Sequence, residues 1–490
     1  MTSTNTVGPS DEVGAYPNGS TELGLNQWTV LSYAYALLCV VGLGYFLFDS
    51  PIQVSDGFTN LTKAANGTLG SLVYSEFFQR GYLRPLLWGH TRVLFDLSSG
   101  HYFEWFRGWH VAQVALLSVL FVRLVRPRTL LAAAVVPLGL SVLVGMHTFA
   151  GAIREAFPIN TFMTIVLCSF AAADLALGQP RWWRDVAAAL LLVFAALTVE
   201  SGLLVAVVGV AAYLAGAKGV SRYGVAAQVV LITGYFLLRF VLQIGAPGLE
   251  ERSSGFGFSS LEPDELVARF GSNPTPFHAY NVLCSILSLL FSEPRGGTFV
   301  VTSALVRGEL PPAGVVNVVS SVLATMMIVL FVWRRRDDWR VRRFDRADQL
   351  VIVFGAVALA NAAVSYGYTK DVILSPAGAL FAVALTVSAR HALEWIGGAP
   401  RLRVATSVAL LAVLSAGWGV RSVSAHMWLR AGAATHAEWA YIDSWLERQG
   451  QVLSDPFAID LKRRLQNDAV SRHPMRPALR DDAVWWFYEP

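Results

Sequence analysis

The sequence predicts an all-α polytopic membrane protein with about eleven transmembrane helices. Three observations carry that expectation. Only 15% of the 490 residues are charged, against roughly 25% in an average soluble domain. The apolar residues gather in blocks long enough to cross a hydrocarbon core of ~30 Å, which takes about 20 residues of helix, whereas a soluble chain shows amphipathic stripes. Basic residues recur in every second connection between the blocks, the bias of cytoplasmic loops. Backbone amides in lipid need internal partners, so spans of this composition are helices.

Residues 1–28 are polar, without a basic residue, and read as a disordered cytoplasmic tail. They lack the charged start of a signal peptide. The apolar blocks occupy residues 29–48, 109–125, 129–150, 158–177, 185–199, 201–216, 222–243, 314–333, 350–366, 372–389 and 404–420. The stretch 185–216 is divided at Glu200-Ser201-Gly202, because a carboxylate at mid-bilayer is expensive. The transmembrane domain is thus 29–420, with long polar loops at 49–108 and 244–312, and 421–490 forms a C-terminal tail.

Arg123, Arg126 and Arg128 follow the second block, Arg181 and Arg184 the fourth, and Lys218 and Arg222 the sixth. The cluster Arg334–Arg346 follows the eighth, and Arg390, Arg401 and Arg403 the tenth. Those loops are assigned to the cytoplasm of a cell (plasma or inner) membrane protein. The N-terminus is then inside, and the C-terminus, both long loops and the tail are outside. The division at Glu200 is required for this alternation.

Charge and cysteine content exclude several classes. A net charge of +4 suits positive-inside loops, and no concentrated basic face points to nucleic acid. Cys39, Cys168 and Cys284 lie in or beside apolar blocks with no CxxC or Cys/His spacing, so neither a disulfide framework nor a metal centre is expected. No phosphate-binding glycine loop, HExxH or GxSxG motif is present.

Chemistry is sought among the charges outside the basic loops. Asp56 lies shortly beyond the first block, where a carboxylate is suited to act as a general base on a hydroxyl; the position alone fits a solvated or helix-capping Asp better. Arg84 precedes Pro85 in an apolar setting, and its planar fork matches phosphate; a snorkelling arginine fits equally. His90, Arg92 and His101 stand nearby. Arg154 and Glu155 form a pair at the membrane edge that fits a structural ion pair. Glu200, at the end of a block, points to a polar cavity or to interfacial water. In the second long loop a short apolar segment, 276–291, reads as interfacial or re-entrant and is followed by Glu293 and Arg295. Lys370 is a cation at a turn where the charge bias does not place one, and snorkelling is its alternative.

This arrangement resembles the GT-C superfamily of integral-membrane glycosyltransferases. Four features carry the resemblance. Asp56 falls in a long loop directly after the first span. Phe77-Phe78 through Leu83-Arg84-Pro85-Leu86 is similar to the (F/Y)RPL element late in that loop. Thr198-Val199-Glu200-Ser201-Gly202 is similar to the KE-type motif, with Val199 in place of Lys. Tyr366 through Pro376 is similar to the aromatic-basic turn, with Lys370 where Arg is commoner and one aromatic missing. The resemblance covers 29–420 and implies a GT-C-like fold whose outer loops carry short helices. It also implies a hexosyl- or pentosyltransferase that uses a polyprenyl-phosphate sugar. Asp56 is then the catalytic base, Arg84 and Lys370 hold the donor phosphate, and the acceptor (a glycan, lipid or protein) approaches from outside. Some members use a metal; Asp56 has no acidic neighbour, so no cofactor or metal is favoured here.

Two other lipid-sugar proteins fit part of the pattern. A flippase or transporter predicts charges along a transport path and often inverted repeats, whereas the block centres here carry almost none. An O-antigen polymerase or ligase places its large outer loop late, which leaves the first loop with Asp56 unexplained. A structural membrane subunit without chemistry is a third alternative. The tryptophans of the tail (Trp428, Trp439, Trp445, Trp485, Trp486) suit an interfacial belt better than sugar stacking.

Overall fold

The computed structural model describes residues 26–48, 55–79, 81–145, 161–241, 253–255, 258–291, 297–310, 312–396, 400–436 and 456–472. Within them the chain is helical apart from one small hairpin. The helices are α1 (Gln27–Phe48), α2 (Ser55–Asn66), α3 (Leu69–Tyr74), α4 (Pro85–Ser98), α5 (Tyr102–Val125), α6 (Leu130–Gly145), α7 (Thr161–Ala176), α8 (Trp182–Ala196), α9 (Leu204–Leu214) and α10 (Arg222–Phe236). After strands β1 (Ser253–Gly255) and β2 (Phe258–Leu261) come α11 (Pro263–Phe270), α12 (Thr275–Phe291), α13 (Gly297–Arg307), α14 (Pro312–Arg340), α15 (Arg346–Val364), α16 (Ser375–Ile396), α17 (Arg401–His436) and α18 (Pro456–Arg472). Six of the described helices, α1, α5, α14, α15, α16 and α17, are long and apolar enough to cross a membrane. This is the composition of a helical membrane protein.

The bundle is built around α16. Every residue from Ser375 to Ala389 is buried, and half of that run is Ala, Gly or Ser. Small side chains let neighbouring backbones approach closely, which is the main source of helix association where no hydrophobic drive exists. Helices α5, α6, α7, α14, α15 and α17 pack around this post. At the crossing with α6, a Cβ on Gly139 would overlap the Thr386 hydroxyl and the Phe121 ring. Gly139→Val is therefore expected to destabilise the fold by about 1–3 kcal/mol through overpacking. Gly355→Val, where an added Cβ meets nothing within 4 Å, is its control. Thermal unfolding in mild detergent checks this: equal midpoints for the two variants would refute the close crossing.

One end of the bundle is closed by arginines. Helix C-termini leave carbonyls without intrahelical partners, and here long cations from other helices supply them. Arg346 donates to Leu124 O (3.4 Å) and Leu177 O (2.8 Å), Arg390 to Val125 O (3.2 Å) and Arg184 to Leu175 O (2.8 Å). Gln349 reaches Ala215 O at 3.2 Å, and Asn26 reaches Arg128 O at 2.7 Å. Arg123 pairs with Asp174 at 2.7 Å. The ends of α5, α7, α9 and α16 and the starts of α1, α8 and α15 thus meet in one basic layer. Helix α14 extends past the expected 333 to Arg340, because Arg335 and Trp339 both bond Asp348 on α15.

The long polar segments join the opposite end. Leu86 N donates to Leu197 O (3.1 Å), just past α8. Ser254 of β1 forms a parallel bridge with Tyr368 beyond α15. The stretch expected as one loop, 49–108, contains α2, α3, a π-turn at Ser75–Gln79, α4 and the start of α5. Helix α18 from the tail packs on α2, with Ala458 and Leu461 buried. Helix α17 runs 16 residues past the expected end of the last block, and its Arg421 donates to Asn317 O, Ser320 Oγ and Ser321 Oγ at 3.1, 3.2 and 2.7 Å. Those three acceptors gather on one nitrogen of a buried cation and tie α17 to α14.

Candidate functional site

The site begins with local backbone constraints. Gly81 takes a left-handed turn (φ 76°) after the π-turn. Pro85 occupies the first turn of α4, where its missing N–H is no loss, and it keeps Arg84 out of the helical region (φ −126°, ψ 48°). The Leu86–Leu197 hydrogen bond then seats the start of α4 against the end of α8. On that side the chain breaks helix: Val199 is extended, and Glu200–Leu203 form a 3-10 turn before α9. Gly202 lies so close to the backbone of Ala195 and Ala196 that a side chain there would overlap it.

These two turns face each other, and Arg84 grips Glu200 with both arms of its guanidinium, Nη2 to Oε2 at 2.7 Å and Nε to Oε1 at 3.3 Å. A third residue completes the cluster. Arg239, in a π-turn at Leu237–Val241 beyond α10, contacts Glu200 Oε1 at 2.6 Å and donates to Tyr235 Oη at 3.2 Å. Both guanidinium groups lie over the Tyr82 ring, with centroid distances of 4.2 Å for Arg84 and 5.5 Å for Arg239. The Arg84, Glu200 and Arg239 side chains are 26%, 22% and 9% exposed, so the cluster is shielded yet reachable. Two guanidinium groups thus converge on one carboxylate. Nearby, Lys63 pairs with Glu76 at 3.8 Å.

Burial alone would raise the Glu200 carboxyl, but the charges of Arg84 and Arg239 outweigh it and hold it below the usual carboxylate range. Burial likewise opposes the Arg84 charge, and Glu200 overcomes that. A depressed carboxyl contributes stability above its unfolded value, about 4.3, and loses it as pH falls through the folded value. Glu200→Gln is accordingly expected to lower the unfolding midpoint by a constant amount from pH 6 to 8, and the gap should close in acid. A gap that widened on acidification would contradict the sign.

The other sequence candidates are placed as follows. Asp56 is the second residue of α2, and its side chain lies outside the described part of the structure. Helix α2 packs on α4, which starts beside Arg84. Arg92 holds the C-terminal end of α2, donating to Ala64 O (2.6 Å) and Gly67 O (3.1 Å) and pairing with Asp96. His90 rests edge-on against Trp109 at 5.5 Å, and burial lowers its pKa. Lys370 precedes the 3-10 turn Asp371–Leu374 without a side-chain capping bond, is exposed, and lies 5.1 Å from the Tyr368 ring. Its neighbourhood is a second polar group in which Asn281 donates to Ser254 O (3.1 Å) and Tyr366 O (2.9 Å). Among the described residues no ion pair joins Lys370 to the Arg84 cluster. Arg154, Glu155, Glu293 and Arg295 lie outside the described residues.

The structure thus joins two candidates, Arg84 and Glu200, from 116 residues apart and adds one that sequence reasoning missed. Arg239 sits inside the apolar block 222–243, and an ionisable residue in such a block is a signal in its own right. Among the described residues no group of three His, Cys, Asp or Glu side chains is arranged to hold a metal ion. No family model, curated protein or solved structure matches the chain.

Proposed function

We propose that this protein is a GT-C-type membrane glycosyltransferase that moves a hexosyl or pentosyl group from a polyprenyl-phosphate donor to an acceptor hydroxyl at the outer face. The observation that carries the reading is the Arg84–Glu200–Arg239 cluster at the end of the bundle opposite the basic layer. Cytoplasmic loops are basic, so the cluster's end is the outer one. The proposed topology has eleven spans, the N-terminus inside and the C-terminus outside. Its shorter apolar helices, such as α6, α7 and α9, add to the six long ones.

In this mechanism the donor phosphate docks against Arg84 and Arg239, whose guanidinium forks match its oxygens, and Lys370 adds a further cation. Asp56 accepts the proton of the acceptor hydroxyl. The acceptor oxygen bonds to the anomeric carbon as the bond from that carbon to the phosphate oxygen breaks. The leaving polyprenyl phosphate gains negative charge, which the arginines stabilise.

Native mass spectrometry of the full chain in mild detergent tests the reading. Wild type should carry a polyprenyl phosphate or its sugar form, and Arg84→Ala/Lys370→Ala should not. Vesicle transfer should also stop in Asp56→Ala. Undiminished transfer in Asp56→Ala removes the base assignment, and absence of any lipid phosphate in the folded wild type removes the donor site.

A further inference from the structure

The basic end carries a feature that the proposed reaction does not use. Between α8 and α10 lies a lateral groove of about 780 Å³. Its mouth is formed by Arg181, ahead of α8, and Lys218, ahead of α10. Both are exposed, and among the described residues neither makes an ion pair. The one carboxylate of the lining, Asp185, is already engaged: Ser221 donates to it from its backbone N (3.0 Å) and its hydroxyl (2.6 Å). The neighbouring Arg184 is turned inward onto Leu175 O. Neutral donors do not cancel the charge of a carboxylate, so at the mouth Arg181 and Lys218 are set against the single carboxylate Asp185.

Two aromatic side chains flank that mouth, Trp182 at 78% and Tyr223 at 70% exposure. Arg222 stacks on Tyr223 at 4.8 Å and donates to its hydroxyl at 2.8 Å, adding a third positive charge at the rim. Below them the walls are apolar, with Val186, Ala189, Leu190 and Val193 from α8 and Ala227 and Leu231 from α10. From Arg181 to Val193 the helix rises about 18 Å, slightly more than half of a ~30 Å hydrocarbon core. Ala189 and Ala227 keep the channel open where larger side chains would fill it.

We propose that this groove is a binding site for one anionic phospholipid of the leaflet at the basic end. Its phosphate sits between Arg181 and Lys218, its glycerol region lies at the level of Trp182 and Tyr223, and an acyl chain follows the α8–α10 wall. The charge pattern selects the headgroup, since Arg181, Lys218 and the rim residue Arg222 outnumber the single carboxylate Asp185 and so favour net negative charge over a zwitterion. The length of the wall selects a lipid over a soluble phosphate. The inference depends on the chain spanning a membrane and is independent of the sugar-transfer reading.

The test is native mass spectrometry of the full chain in detergent, titrated with phosphatidylglycerol and with phosphatidylcholine of the same acyl chains. Wild type should retain phosphatidylglycerol preferentially. Arg181→Ala/Lys218→Ala should bind it about 30-fold more weakly, from two surface cations. Ala189→Trp, which keeps both cations and blocks the channel, should also lose it. Arg342→Ala/Arg343→Ala removes the same charge at the same end and should leave retention unchanged. The proposal is overturned by equal retention of the two lipids, by a loss of equal size in the Arg342/Arg343 variant, or by full retention in Ala189→Trp. Displacement of the lipid by millimolar inorganic phosphate would overturn it too, because the acyl wall would then contribute nothing.

Discussion

Arg335→Ala is expected to lower stability by about 3–5 kcal/mol, the penalty of stranding a buried charge. Its partner Asp348 is fully buried and accepts from Arg335 Nε at 3.0 Å and Nη2 at 2.7 Å. Trp339 Nε1 (2.8 Å) and the Asp345 backbone N (2.8 Å) complete its shell. The same carboxylate closes the capping box that starts α15, so its field and its geometry both hold the α14–α15 hairpin. Without Arg335 the carboxylate keeps its neutral donors and loses its counter-charge. Arg340, paired with Asp337 at 3.0 Å, has both side chains more than two-thirds exposed, and its removal should be nearly silent. Unfolding titrations of the two variants in detergent measure the contrast. Adding Asp348→Asn to Arg335→Ala should recover part of the loss, because it removes the stranded charge, while its single amide oxygen can accept from only one of Trp339 Nε1 and Asp345 N. Similar midpoints for Arg335→Ala and Arg340→Ala would show that the pair is solvated and the layer weak.

Under the proposed glycosyl-transfer reaction, Arg239→Ala is expected to reduce turnover by about 10²–10³-fold, the usual cost of deleting one donor aimed at developing negative charge. Arg84→Ala should fall in the same range, since Arg84 contacts both oxygens of Glu200, Arg239 contacts Oε1, and both guanidinium groups lie over Tyr82. A purely structural role for Arg239 predicts something else: a lowered unfolding midpoint with normal turnover in the protein that stays folded. Measuring transfer in vesicles beside the unfolding midpoint separates the two. Glu200→Gln is the informative companion. It frees both guanidinium groups from their internal carboxylate, so donor KM should drop while the midpoint also drops. Unchanged KM in Glu200→Gln would mean that the donor phosphate binds elsewhere.

Much of the architecture was legible because hydropathy and charge are local. The apolar runs that became α1, α5, α14, α15, α16 and α17 are visible in any window of about 20 residues. The basic connections, with Arg123, Arg346 and Arg390, ended in one layer, as a uniform charge bias requires. The break in helix at Glu200 was likewise legible, from the expense of a carboxylate in an apolar run. Helix ends were read less well. Arg340 and His436 extend their helices beyond the apolar blocks, because polar helix is held in place by partners such as Asp348 and Asn317 that hydropathy does not register.

Sequence by itself determined the class of this protein, an apolar helical chain with one basic end, and it marked Arg84 and Glu200 as unusual. Only the tertiary structure decided what those residues face. Glu200 meets Arg84 across 116 positions, and Arg239, passed over inside an apolar block, becomes their third member. The arginines expected merely to mark the cytoplasmic side instead bond the carbonyl ends of other helices. The reason is physical. Transfer free energy is a sum over single residues and can be read along a chain, whereas ion pairing and capping depend on which helices become neighbours. In this bundle that order is set by the close packing of small residues around α16.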